Sequence, residues 1–60
     1  MKQDTVALIE KQIKEYKERI RHAEALFVSA DEDFAASLYE RIRNYGNFIT
    51  ELQEILQSIK

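Results

Sequence analysis

Few side chains in this 60-residue chain have the chemistry needed for catalysis or metal binding. There is no cysteine, and His22 is the single histidine, so no thiolate set or imidazole cluster is present to hold a metal ion. A nucleophile also needs a base beside it and a third group that orients the base. His22 stands instead among Glu18, Arg19 and Arg21, which is typical of a solvent-facing helix surface. We therefore expect a protein that is not an enzyme and has no metal, no cofactor and no small-molecule substrate.

A basic strip is the feature that would attract a nucleic acid. Lys14, Lys17 and Arg21 follow one another at helical spacing, so they share one side of a helix. The chain as a whole has 9 basic and 11 acidic residues, a net charge of -2. Acidic residues also interleave with the strip and lower the positive electrostatic potential that RNA phosphates would meet. They are Glu10, Glu15, Glu18 and Glu24. RNA is therefore a less favoured partner than protein.

Three further side chains are candidates for contact with another protein. Tyr39 and Arg43 are not needed for a helical core, and tyrosine and arginine are enriched at the centres of protein interfaces. A tyrosine that lies over the edge of a helical bundle would explain Tyr39 equally simply. Arg41 falls within an apolar strip, so its guanidinium group must reach solvent or a carboxylate. The candidate carboxylates nearby in sequence are Glu40, Glu51 and Glu54.

The elements that position these residues follow from two apolar stripes with alternating steps of three and four. The first stripe is Val6, Ile9, Ile13, Tyr16, Ile20, Ala23 and Phe27. The second, one residue out of phase with the first, is Ala35, Leu38, Ile42, Tyr45, Ile49, Leu52, Leu56 and Ile59. Such spacing places each stripe on one side of an α-helix and is typical of helices that pack lengthwise. The sequence therefore predicts an all-α fold with two long helices.

We expect a single helical-hairpin domain over residues 1–60. The first helix is predicted at about residues 5–28, after frayed residues 1–4, with Asp4 or Thr5 as its N-cap. The second is predicted at about residues 30–59. Packed antiparallel, the two helices would form a slender hairpin with one shared seam.

The turn between the helices is predicted from a capping signal. Ser29 and Glu32 fit the capping box, in which each side chain satisfies a backbone N–H at the start of a helix. Because no proline or glycine forces a turn here, one long coiled-coil helix is the alternative. A three-helix arrangement is a second alternative, because Gly46 could end the second helix and a third helix could start at Asn47.

The second helix has an apolar face that is too wide for one partner helix. Phe34, Phe48 and Ile55 form an extra line beside the main stripe, with Arg41 as its polar member. A second copy would cover this line, so we expect a homodimeric four-helix bundle. The expected core and dimer interface comprises Ile13, Tyr16, Ile20, Phe27, Phe34, Leu38, Ile42, Tyr45, Phe48, Ile49, Leu52, Ile55 and Leu56.

In size and layout the chain resembles helical-hairpin dimers of the Rop type. Its turn sequence Ala30-Asp31-Glu32 is also similar to the acidic turn of those proteins. The resemblance is carried by the layout and a few turn residues, and it implies binding of paired RNA loops through an exposed helix face. It assigns no RNA-contacting residue in this chain.

The leading functional hypothesis is a protein-interaction module. We expect a homodimer that modulates or inhibits a larger protein, as small accessory proteins of phages and plasmids do. The alternative is a Rop-like RNA-binding hairpin. No apolar run is long enough for a membrane span or a signal peptide, so we expect no membrane contact and a cytoplasmic location.

Overall fold

The computed structural model describes residues 2–59, which form two α-helices joined by a short turn. Helix α1 spans Lys2–Phe27 and helix α2 spans Glu32–Ile59. They pack against each other as an antiparallel hairpin with dimensions of 45 × 14 × 11 Å. This confirms the predicted all-α hairpin and excludes both alternatives over the described residues, namely a single long helix and three helices.

The core of the hairpin is the seam in which the two stripes meet. Ile13, Ile49 and Leu56 are buried together, and the half-buried side chains packed against them are Val6, Ile9, Tyr16, Ile20 and Leu52. Nearer the turn, Ala23 and Leu38 are also buried, and Leu38 is only 1% exposed. Each helix thus contributes apolar side chains along the length of the seam, as the alternating steps of three and four predict.

Helix α2 continues through Gly46 without interruption. The glycine does not adopt a positive φ angle, and the Thr50 hydroxyl donates a hydrogen bond to its carbonyl oxygen at 3.1 Å. A glycine inside a helix costs about 1 kcal/mol relative to alanine. Packing of Tyr45 and Ile49 against α1 on either side of Gly46 offsets this cost, because both lie on the stripe that faces the seam.

Asp31 is the residue that caps α2. Its Oδ1 atom accepts a hydrogen bond from the backbone N–H of Phe34 at 2.8 Å. Its backbone carbonyl accepts a second bond from the N–H of Ala35, also at 2.8 Å. This pairing of side chain and backbone is typical of an N-cap. The acidic Glu32 and Asp33 follow in the first turn, where negative charge favours the positive end of the helix dipole.

The predicted capping box of Ser29 with Glu32 is therefore wrong. The N–H of Ser29 donates to the carbonyl of Leu26 at 3.3 Å, so Ser29 belongs to the turn that closes α1. Helices packed side by side need about two to five connecting residues. A cap at Ser29 would leave a single residue after Phe27, whereas a cap at Asp31 leaves room to reverse the chain. Helix α2 accordingly begins two residues after the predicted start.

The first helix begins earlier than predicted. Because α1 already includes Lys2, residues 2–4 are helical, and neither Asp4 nor Thr5 is the N-cap. Asp4 lies within the first turn, where its negative charge interacts favourably with the positive end of the helix dipole. Met1, which the predicted frayed segment also included, lies outside the described residues. At the other end, α1 stops at Phe27, one residue before the predicted end.

Candidate protein-interaction face

The hairpin exposes more surface than a compact protein of its size. Its accessible surface is 4977 Å², whereas a typical folded monomer of 7.1 kDa exposes about 4,100 Å². Its radius of gyration is 14.1 Å, against about 10 Å for a compact 60-residue domain. The excess of about 900 Å² is comparable with the roughly 800 Å² that each partner buries in a standard protein interface.

Much of the exposed apolar surface lies along one side of the hairpin, which we call the open face. On α2 it carries Phe34, Phe48 and Ile55, which are 41%, 45% and 47% exposed. They are spaced by multiples of seven residues, so they lie on nearly the same side of the helix. On α1 the same face carries Leu26, which is 48% exposed and lines a groove together with Arg41 of α2.

An aromatic cluster lies at the middle of the open face. The ring of Tyr16 contacts the rings of Tyr45 and Phe48, with centroid separations of 5.6 Å in both pairs. The ring planes are tilted by 31° and 32°, within the range of favourable aromatic contacts. The guanidinium carbon of Arg19 lies 5.5 Å from the centroid of the Tyr16 ring, at cation–π distance. We call Tyr16, Tyr45 and Phe48 the aromatic centre.

A shallow groove lies on each side of the aromatic centre. The groove nearer the turn, which we call the cationic groove, has a volume of about 160 Å³ and contains Arg19, His22 and Arg41. Its other lining residues are Ala23, Leu26, Leu38 and Tyr45. The groove nearer the chain ends, which we call the acidic groove, has a volume of about 140 Å³ and contains Glu51. Its other lining residues are Gln12, Tyr16, Phe48, Leu52 and Ile55.

The residues expected in the core and dimer interface divide into three groups. Four are buried within the hairpin itself: Ile13, Leu38, Ile49 and Leu56. Six are half-buried at the edges of the seam: Tyr16, Ile20, Phe27, Ile42, Tyr45 and Leu52. The last three are exposed on the open face: Phe34, Phe48 and Ile55. The hairpin therefore covers the main stripes and leaves the extra line of α2 open.

The candidate partner-binding residues do not form one surface. Arg41 lies in the cationic groove of the open face. Tyr39 precedes Arg41 by two residues, a rotation of about 200° around the helix, so it lies on the opposite side of α2. Tyr39 is 65% exposed, and Arg43 lies one turn beyond it and is also exposed.

The candidate RNA-binding residues Lys14, Lys17 and Arg21 are exposed on α1. None of the three lines either groove of the open face. Their spacing of three and four residues keeps them on one side of the helix. The basic strip is thus a surface separate from the open face.

Sequence reasoning missed two leucines of α1 and one arginine. Leu8 and Leu26 are 64% and 48% exposed, although most positions that flank the first stripe are polar. They are 18 residues apart, or about five full turns, so they project from the same side of α1. Arg19 has the sequence setting of a solvated surface, yet it lies over Tyr16 and shares the cationic groove with Arg41. The spacing of the two leucines is the one feature of the sequence that could have indicated this exposed apolar surface on α1.

Metal binding and membrane insertion have no structural counterpart in the residues that the structure describes. Among the described residues, no group of three or more His, Asp or Glu side chains is placed to hold a metal ion. Neither α1 nor α2 has a stretch long and apolar enough to cross a membrane, within the part of the chain that the structure describes. No known protein-family model matches the chain, and no curated protein or solved structure matches it either.

Proposed function

We propose that this protein is a non-enzymatic protein-interaction module that works as a homodimer in the cytoplasm. Two hairpins cover each other's open face to complete a four-helix bundle, and the bundle then binds and modulates a larger protein. The observation that carries the proposal is the exposed line of Phe34, Phe48 and Ile55 beside a fully formed seam. Exposed apolar side chains aligned on one side of a helix are typical of a surface that packs against a partner.

Covering this face gains apolar burial that is comparable with the free-energy cost of association. Complete burial of a large apolar side chain contributes about 1.5–3 kcal/mol. Because Leu26, Phe34, Phe48 and Ile55 are each 41–48% exposed, covering them contributes about 1 kcal/mol apiece. Two copies together gain about 8 kcal/mol, which falls within the roughly 4–15 kcal/mol that association costs. Polar contacts across the interface therefore decide how tightly the copies bind.

The composition of the grooves supports binding rather than reaction. Neither groove is lined by a serine, threonine or cysteine that a base could activate. His22 shares its groove with Arg19 and Arg41, and no carboxylate that could orient it lines that groove. Both grooves are shallow and open, unlike the enclosed, ligand-burying pockets of most small-molecule sites.

The larger protein would contact the surface that the bundle leaves free. Tyr39 is the most exposed aromatic residue of the described chain, and it lies on the side of α2 away from the open face. Arg43 lies one turn along the same side. Tyrosine and arginine dominate the binding energy of many interfaces. We therefore assign partner contact to Tyr39 and Arg43, and self-association to the open face.

Sedimentation equilibrium of the wild type and two charge-bearing variants tests self-association. We expect the wild type to have twice the 7.1 kDa mass of one chain. Phe48→Glu should dissociate the dimer, because it places a charge in the aromatic centre. The matched control Tyr39→Glu introduces the same charge on the opposite side and should remain dimeric. A monomeric wild type at micromolar concentration, or a Phe48→Glu dimer as stable as the control, contradicts the proposal.

Affinity capture tests the assigned partner surface. Immobilised wild type and a Tyr39→Ala/Arg43→Ala variant would be exposed to the same native lysate, and the bound proteins compared by mass spectrometry. We expect at least one protein that the wild type retains and the variant does not. Identical sets on both proteins would show that Tyr39 and Arg43 do not contact a partner.

The alternative, Rop-like RNA binding, is distinguished by its dependence on salt. Lys14, Lys17 and Arg21 are exposed side by side, and neutralised phosphates make the affinity of a protein for RNA fall steeply with salt concentration. We expect no saturable binding to a paired-loop RNA in fluorescence anisotropy. Salt-sensitive binding that disappears in the Lys14→Glu/Lys17→Glu/Arg21→Glu variant would favour the alternative instead.

A further inference from the structure

The kinds of side chain along the open face follow an order that is symmetric about its centre, except that the charges have opposite signs. From the turn to the chain ends, the levels are apolar, cationic, aromatic, acidic and apolar again. The corresponding α2 residues are Phe34, Arg41, the aromatic pair Tyr45 and Phe48, Glu51 and Ile55. The two apolar positions therefore lie on opposite sides of the aromatic centre. The two charged positions do too, and their charges have opposite signs.

This order is centred on the middle of α2. Gly46 lies midway between Arg41 and Glu51, with about 7.5 Å of helix on either side. The midpoint between Phe34 and Ile55 falls next to Tyr45, close to the same level. The pattern is therefore self-complementary under a two-fold axis that crosses the helices at the aromatic centre.

Two symmetric ways of stacking two open faces differ in the charges that they bring together. With the two-fold axis across the helices, the turns lie at opposite ends, α2 packs antiparallel on α2 of the other copy, and Arg41 is level with Glu51. With the axis along the helices, the turns lie at the same end, and Arg41 is level with Arg19 of the other copy. The second arrangement gathers the arginines of both cationic grooves at one level of the interface, and like charges brought together there oppose association.

We infer that two copies of this chain pack with their turns at opposite ends, so that the cationic groove of each copy receives the Glu51 carboxylate of the other. The inference rests on the proposed homodimer and specifies its geometry. Two crossed Arg41–Glu51 contacts flank the aromatic centre, and Phe34 of each copy covers Ile55 of the other. A standard interface takes about 800 Å² from each partner, so the elongated hairpin, with its excess surface of about 900 Å², has enough surface for this occupant.

Charge reversal on each side of the contact, followed by mixing, tests this geometry. Arg41→Glu and Glu51→Arg each place like charges at both crossed contacts, so each homodimer should bind at least about tenfold more weakly than the wild type. In the mixed dimer, one crossed contact joins the two introduced side chains, a glutamate and an arginine. The other crossed contact joins the native Arg41 of one chain to the native Glu51 of the other. The mixed dimer should therefore recover an affinity close to that of the wild type.

Intrachain effects cannot produce this recovery. Positions 41 and 51 are about 15 Å apart along α2, so restoration on mixing requires the second copy. The matched controls Arg43→Glu and Glu54→Arg make the same charge changes at exposed positions on the outer side of α2. We expect both controls to dimerise like the wild type, alone and when mixed.

Sedimentation equilibrium at low ionic strength and far-UV circular dichroism provide the readouts. Weak homodimers that recover on mixing support the inference, and if either variant is unfolded alone, recovery of helicity on mixing supports it equally. An Arg41→Glu dimer tighter than the wild type would show that the turns lie at the same end. Homodimers of unchanged affinity, or a mixture without recovery, would also overturn the inference while leaving the dimer intact. A monomeric wild type would instead refute the proposed function.

Discussion

Replacing Asp31 with alanine removes the side-chain oxygen that caps α2. The Oδ1 atom accepts the Phe34 N–H at 2.8 Å, and this donor has no partner within the helix because it lies in the first turn. Loss of an N-cap aspartate costs about 1 kcal/mol, within a range of about 0.5–2 kcal/mol. For a domain of this size, a loss of about 1 kcal/mol lowers the melting temperature by roughly 4–8 °C.

Urea denaturation followed by far-UV circular dichroism measures this loss, with all variants at the same protein concentration because dimer stability depends on concentration. Asp31→Asn keeps an oxygen that accepts the same hydrogen bond, so it should retain most of the stability. Ser29→Ala removes a hydroxyl that does not cap the helix and should change the free energy of unfolding by less than about 0.5 kcal/mol. If Ser29→Ala loses as much stability as Asp31→Ala, Ser29 caps α2 as the capping-box prediction requires, and our assignment of Asp31 as the cap is refuted.

Two further predictions concern the core and the glycine of α2. Leu38→Ala should destabilise the protein by about 2–5 kcal/mol in urea denaturation, because Leu38 is 1% exposed. The neighbouring Tyr39→Ala should cost less than about 1 kcal/mol, because Tyr39 is 65% exposed; equal losses would contradict the placement of the seam. Gly46→Ala should raise the free energy of unfolding by about 0.5–1 kcal/mol, because an added Cβ meets nothing within 4 Å. A destabilised Gly46→Ala protein would contradict the open surroundings of this position.

The overall fold could be predicted from the sequence because helix packing depends on periodicity. Steps of three and four place Ile13, Ile49 and Leu56 on stripes that must be covered, and the structure buries them together. The break in phase between the stripes located the turn. The cap could not be predicted in the same way, because both Ser29 and Asp31 have side chains that favour the N-cap. The number of residues needed to reverse the chain decided between them.

The open face could be predicted only in part. The extra line of Phe34 and Phe48 is visible from heptad spacing within one helix. Arg19 and Arg41 line the same groove because they lie at the same level along the hairpin. That level depends on the axial register of α1 relative to α2. Periodicity gives the direction of a side chain around a helix axis, but not its level relative to another helix. The order of charges along the face therefore emerged only from the structure.

The distance between two labels at the turn tests the proposed dimer most directly. Val28 is 90% exposed in the turn, and the chain has no cysteine, so Val28→Cys provides one site for a spin label in each copy. With the turns at opposite ends, pulsed electron paramagnetic resonance should give a distance close to the 45 Å length of the hairpin. With the turns at the same end, the labels would lie within about 20 Å, or two helix spacings. We predict the long distance; a short distance contradicts the geometry, and the absence of any distance between copies contradicts the dimer itself.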